Sequence, residues 1–87
     1  MDESYRLSDH ARSEADRRGI PLDVVQTIMT APEQIVAAHS DRQVYQSKVE
    51  IDGKLYLVRA IVENTDPATV VTVYRTSKID KYWSGDA

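Results

Sequence analysis

The chain has 87 residues, with 11 lysines and arginines, 14 aspartates and glutamates, and no cysteine. This length supports one small domain with one modest hydrophobic core, and we expect a single domain over residues 1–87 with its ordered core over about 5–83. The lack of cysteine excludes disulfides, thiolate metal sites and cysteine nucleophiles. The formal net charge of −3 argues against a strongly basic protein that coats nucleic acid.

The charges are unevenly distributed along the chain. Three of the acids lie in its terminal residues: Asp2, Glu3 and Asp86. The stretch from Arg42 to Lys81 is mildly basic, which leaves room for a local phosphate site. No apolar run approaches the ~18 residues of a membrane span, and the acidic start is unlike a signal peptide. We expect a cytoplasmic protein with no membrane partner.

Two short helices are predicted at the front of the chain. Ser8 is a good N-cap and Gly19 can take a left-handed conformation after the last turn, which predicts a helix over about 9–18. Pro21 suits a first helical position and Pro32 ends the next apolar pattern, which predicts a helix over about 22–30.

After these helices the pattern changes to strands. The predicted strands cover residues 34–38, 43–51, 54–63 and 69–75. Asp52-Gly53 is a strong hairpin signal between the second and third. The short connections predict an α+β fold in which two helices pack on one face of a four-stranded antiparallel meander, followed by a short terminal turn or helix. The third strand is apolar on both faces, so one face should bind something or be covered.

Five short motifs recur in an order and spacing that resemble a known family. They are Asp9-His10-Ala11, Arg18-Gly19-Ile20, Val44-Tyr45, Asp52-Gly53-Lys54 and Val70-Val71-Thr72-Val73-Tyr74. Together they resemble the small bacterial domain-of-unknown-function family 4258, which is similar in fold to RelE-like and colicin-like ribonuclease toxins. The resemblance implies a toxin component with an RNA substrate and an antitoxin partner. Glu14 departs from the pattern, because many members carry a basic residue there.

Metal-independent RNA cleavage needs a base for the 2′-hydroxyl, cations at the phosphate and an acid for the leaving oxygen. His10 could serve as base or acid, Arg59 and Arg75 could neutralise the phosphate, and Tyr74 could position it. Further candidates for substrate binding are Thr72, Tyr45, Lys48 and Arg17. No cofactor or metal is expected, since His10 and His39 form no ligand motif.

Each of these residues also has a structural explanation. His10 could bond a strand end or pair with Glu14, and Arg59 could form a salt bridge with Glu14 or Glu50. Tyr82 and Trp83 could anchor the terminal turn or contact a partner. The second hypothesis is therefore a non-catalytic interaction domain, either a homodimer or a subunit of a protein complex. The two hypotheses differ in whether His10, Arg59 and a hydroxyl of the last strand meet in one cleft.

Overall fold

The computed structural model describes residues 5–85, so the terminal acids Asp2, Glu3 and Asp86 lie outside the described residues. The elements in chain order are β1 (Tyr5–Leu7), α1 (Asp9–Arg17), α2 (Leu22–Thr30), β2 (Gln34–Ala37), β3 (Gln43–Ile51), β4 (Lys54–Glu63), β5 (Ala68–Thr76) and α3 (Ile79–Tyr82). The strands form one sheet in the order β1-β5-β4-β3-β2. None of the helices within residues 5–85 combines the length and apolar character needed to cross a membrane.

The prediction of a four-stranded antiparallel meander is wrong, because the sheet has five strands and is mixed. β1 pairs in parallel with β5, from Tyr5 opposite Ala68 to Leu7 opposite Val70, and the other neighbouring strands are antiparallel. Three residues are too few to show the alternation that identifies a strand. The α+β class and the approximate bounds of the other elements agree with the sequence prediction.

The start of α1 is fixed by Ser8. Its hydroxyl oxygen accepts a hydrogen bond from the Ala11 amide at 3.0 Å, as an N-cap does, and the hydroxyl donates to the Val71 carbonyl of β5 at 3.1 Å. Gly19 ends the helix region with φ +68°, where a side chain would be strained. The cap therefore sets both the beginning of α1 and its position beside β5.

The β3–β4 hairpin places the most apolar strand at the centre of the sheet. Asp52 and Gly53 both have positive φ angles, 52° and 80°, which matches the type I′ turn favoured by the twist of two-residue hairpins. The turn sets Ile51 opposite Lys54 and extends the pairing to Gln43 opposite Val62. β4 is third of five in the sheet order, as its two apolar faces predict.

The two faces of the sheet are covered by different parts of the chain. We call the face that carries Val58 and Ala60 the helix face, because these residues share a core with residues of α1 and α2. The opposite face, which carries Leu57 and Arg59, is called the α3 face. Leu57 is 0 % exposed and lies outside that core cluster. The α3 face is therefore also covered in part.

Candidate functional site

Three side chains from three adjacent strands converge on the α3 face. Arg59 of β4 lies opposite Gln46 of β3 on one side and opposite Tyr74 of β5 on the other. Directly opposed residues of antiparallel strands point to the same face of a sheet. The register of β3, β4 and β5 thus builds a polar cluster at the centre of this face.

Arg59 is held by neutral partners. Its Nε donates to Gln46 Oε1 at 2.8 Å and its Nη1 donates to the Tyr74 hydroxyl. Its guanidinium carbon lies 4.4 Å from the centre of the Tyr82 ring. The alternative role for Arg59, a salt bridge to Glu14 or Glu50, is not observed, and within residues 5–85 Arg59 makes no ion pair. Because no carboxylate neutralises this half-buried guanidinium, its positive charge is available to bind an anion.

Gln46 orients Arg59 and was missed by the sequence reasoning. It is 0 % exposed, and its side-chain amide donates to Gln34 Oε1 at 2.7 Å and to the Tyr82 carbonyl at 3.2 Å while its oxygen accepts from Arg59. A buried amide with every group bonded fixes its neighbours. The signal for it in the sequence is weak: Gln46 follows the buried Val44 on the alternating face that also carries Lys48.

The carboxyl-terminal residues lie across this cluster. Gln34 Nε2 donates to the Ser84 carbonyl at 2.7 Å, and the Ser84 amide donates to Gln34 Oε1 at 3.1 Å. The Lys48 ammonium lies 4.1 Å from the centre of the Trp83 ring. Arg59 of the cluster and Lys48 beside it on the same face therefore each contact an aromatic ring of this segment.

The predicted catalytic residues fall on two sides of the sheet. Tyr74 and Arg59 are in contact on the α3 face, whereas His10 is exposed on α1, which packs on the helix face. Arg75 lies opposite Val58 on the helix face, with its guanidinium 4.4 Å from the Tyr56 ring. Because the sheet separates them, His10 and Arg59 do not meet in one cleft.

The predicted substrate-binding residues divide in the same way. Thr72, opposite Ile61, and Lys48, opposite Leu57, lie on the α3 face. Tyr45 lies opposite Ala60 and packs against the helix-face core, and Arg17 is on α1. Of the four predicted substrate-binding residues, Thr72 and Lys48 share a face of the sheet with Arg59, whereas Tyr45 and Arg17 do not.

Glu14 forms salt bridges with two arginines rather than with His10. Arg17 Nη2 and Arg18 Nε each lie 2.8 Å from Glu14 Oε1. Hydrogen bonds from Arg17 and then Arg18 lower the pKa of Glu14 from 4.5 to about 2. This glutamate stabilises the end of α1, and no contact with it orients His10.

Other parts of the described chain bring together fewer groups that could bind a ligand or take part in catalysis. His39 is exposed in the turn between β2 and β3. Across residues 5–85 no three His, Asp or Glu side chains come together as ligands for a metal. A cavity of about 640 Å³ lies between α1 and the start of α2, lined by Arg12, two aspartates and residues 20–22. It contains neither His10 nor any residue of the sheet.

Fold and site together define a small α+β protein with two helices on one face of a mixed sheet and a cationic, aromatic cluster on the other. Residues 7–75 match the family described as a domain of unknown function (DUF4258), and the chain belongs to this family. The family resemblance drawn from the sequence motifs is thereby confirmed. No curated protein and no solved structure matches the chain significantly. The matched residues include Arg59 and Tyr74 and end before α3.

Proposed function

We propose that this chain is a metal-independent endoribonuclease of the toxin type, with its RNA surface on the α3 face. The observation that carries the proposal is Arg59, a cation at the centre of a sheet that is bonded to the Tyr74 hydroxyl and to no carboxylate within residues 5–85. We include in this proposal that the family is similar in fold to RelE-like ribonuclease toxins. A small antitoxin would be the natural partner that holds such an enzyme inactive.

The cluster has the groups that cleavage by the 2′-hydroxyl needs at the phosphate. Arg59 would neutralise the phosphate oxygens as the bond from the 2′-oxygen to phosphorus forms. Tyr74 accepts a hydrogen bond from Arg59, so its own O–H is free to donate to the leaving 5′-oxygen as that bond breaks. Thr72 adds a hydroxyl on the same face. A water or a phosphate oxygen would take the 2′-hydroxyl proton, and the products would be a 2′,3′-cyclic phosphate and a 5′-hydroxyl.

Cleavage of a labelled single-stranded RNA in the presence of EDTA tests the proposal, together with growth arrest on expression. Arg59→Ala should reduce cleavage by roughly 10²-fold or more, because it removes the charge that stabilises the transition state. Tyr74→Phe should reduce it by roughly 10- to 10²-fold, because it removes the proton donor. Arg12→Ala, which deletes the same charge from an exposed position on α1, is the matched control and should cleave as the wild type does.

Two further variants locate the active centre. His10→Ala and Arg75→Ala should retain cleavage, because the sheet separates both residues from Arg59. A loss of cleavage in His10→Ala with full activity in Arg59→Ala would move the centre to α1 and refute the proposed site. A wild type that neither binds nor cleaves RNA would refute the function.

The alternative of a non-catalytic interaction domain is favoured by one observation. Ile35 is 47 % exposed on β2, which is an edge strand of the sheet. An edge strand with an exposed large apolar residue is a surface that a second copy or a partner strand can extend. A wild type that forms dimers and leaves RNA intact would favour this function.

A further inference from the structure

Residues 78–85, which we call the C-terminal strap, occupy the surface assigned above to RNA. We propose that the aromatic rings of the strap contact Arg59 and Lys48 in the resting protein and that the strap swings away when single-stranded RNA binds. This inference rests on the proposed function and adds its regulation: the enzyme would be partly closed by its own carboxyl-terminal residues.

The first argument is that strap and RNA would compete for the same two cations. The Tyr82 ring lies 4.4 Å from the Arg59 guanidinium and the Trp83 ring lies 4.1 Å from the Lys48 ammonium. A nucleobase presents the same kind of π face as these rings, and a backbone phosphate needs the same cations. RNA can therefore replace each strap contact with an equivalent or stronger one.

The second argument is that the strap is lightly attached. Its helix has four residues, none of them buried, and the side chain of its N-cap residue makes no capping hydrogen bond. Such a short helix is not stable without its contacts. Four hydrogen bonds with side chains hold its backbone: three with Gln34 and Gln46, and one from the Lys78 amide to the Thr76 hydroxyl. The strap can leave without breaking any strand pairing, and it lies beyond the residues that match the family.

Binding of a labelled single-stranded oligoribonucleotide, followed by anisotropy, tests the strap. A chain that ends at Ser77 should bind about tenfold more tightly than the wild type, because two cation–π contacts no longer compete. A chain that ends at Gly85 keeps the strap and should bind as the wild type does. Catalysis is avoided by using RNA with 2′-O-methyl groups.

Measurements on the intact chain guard against a fold defect in the shortened one. Trp83 is the only tryptophan in the sequence, so its fluorescence reports on the strap alone. Addition of RNA should raise the quenching of Trp83 by acrylamide. Gln34→Ala, which removes both bonds to Ser84, should tighten RNA binding, whereas Gln43→Ala on an exposed position of β3 should not.

The outcomes separate this inference from the proposed function. RNA that binds the wild type while shielding Trp83 from acrylamide would show that the strap is a stacking platform, which overturns the inference and leaves the function standing. The same holds if RNA binds and neither Gln34→Ala nor strap removal strengthens binding. If no form of the chain binds RNA, the proposed function is refuted, and the inference about the strap is refuted with it.

Discussion

The hydrogen-bond partners of Arg59 determine whether its charge is available to a ligand. A guanidinium between Leu57 and Ile61 on an apolar strand needs hydrogen-bond acceptors, because burial of an unpaired charge is costly. Gln46 and Tyr74 accept from it without neutralising it. The result is a positioned and uncompensated cation, which is the arrangement that phosphate recognition requires.

Glu14 gives a pH dependence that can be tested at the level of one residue. Its pKa is about 2 in the folded protein and 4.5 in the absence of its partners, so its contribution to stability is complete above pH 4.5 and is lost as the pH falls towards 2. The contribution should be modest, because Arg17 is 64 % exposed and solvent screens the pair. Glu14→Gln should therefore lower the urea midpoint at pH 7, and the difference from the wild type should vanish near pH 2.

Glu50→Gln is the control for this experiment. Glu50 is exposed and makes no ion pair within residues 5–85, so its replacement should leave the urea midpoint nearly unchanged at each pH. A difference between wild type and Glu14→Gln that stays constant from pH 7 to pH 2 would contradict the assignment.

At the scale of elements, Ser8 joins a helix to a strand. One hydroxyl caps α1 through the Ala11 amide and donates to the Val71 carbonyl of β5. Ser8→Ala should lower the free energy of unfolding by about 1–2 kcal/mol, since it removes an N-cap and one further hydrogen bond. Chemical denaturation of the two proteins measures the difference.

Ser13→Ala is the matched substitution on the same helix. Ser13 is exposed in the middle of α1, where alanine has the better helix propensity, so the free energy of unfolding should stay within about 0.5 kcal/mol of the wild type. Equal losses in the two variants would show that the cap does not position α1.

Local sequence pattern is enough to predict the β3–β4 hairpin but not strand β1. Asp52-Gly53 specifies its hairpin locally, because both residues tolerate the positive φ angles that the turn needs. β1 gains its strand conformation only from pairing with β5. Its three residues have no local signal strong enough to predict it.

At the scale of the whole molecule, the sheet separates two apolar layers. The larger layer lies under α1 and α2, and Leu57 belongs to the smaller one on the α3 face. Leu57→Ala should destabilise the protein by about 2–5 kcal/mol, because it leaves a cavity at a fully buried position. Thermal or chemical unfolding measures this loss.

Leu55 provides the comparison for this substitution. It lies two residues away on the same strand and the same face, but it is 50 % exposed. Leu55→Ala should change the free energy of unfolding by less than about 1 kcal/mol. Similar losses for Leu55 and Leu57 would mean that the α3 face is open and that no second layer exists.

The sequence by itself determined the family, the α+β class, and the approximate bounds of two helices and four strands. These features depend on caps, turns and alternation, which act between residues that are neighbours in the chain. Tertiary structure alone decided that β1 joins β5, that Gln46 holds Arg59, and that the sheet separates His10 from Arg59. It also decided that the strap returns to Gln34, fifty residues earlier in the chain than Ser84. Such contacts join distant segments, so no local pattern in the sequence records them.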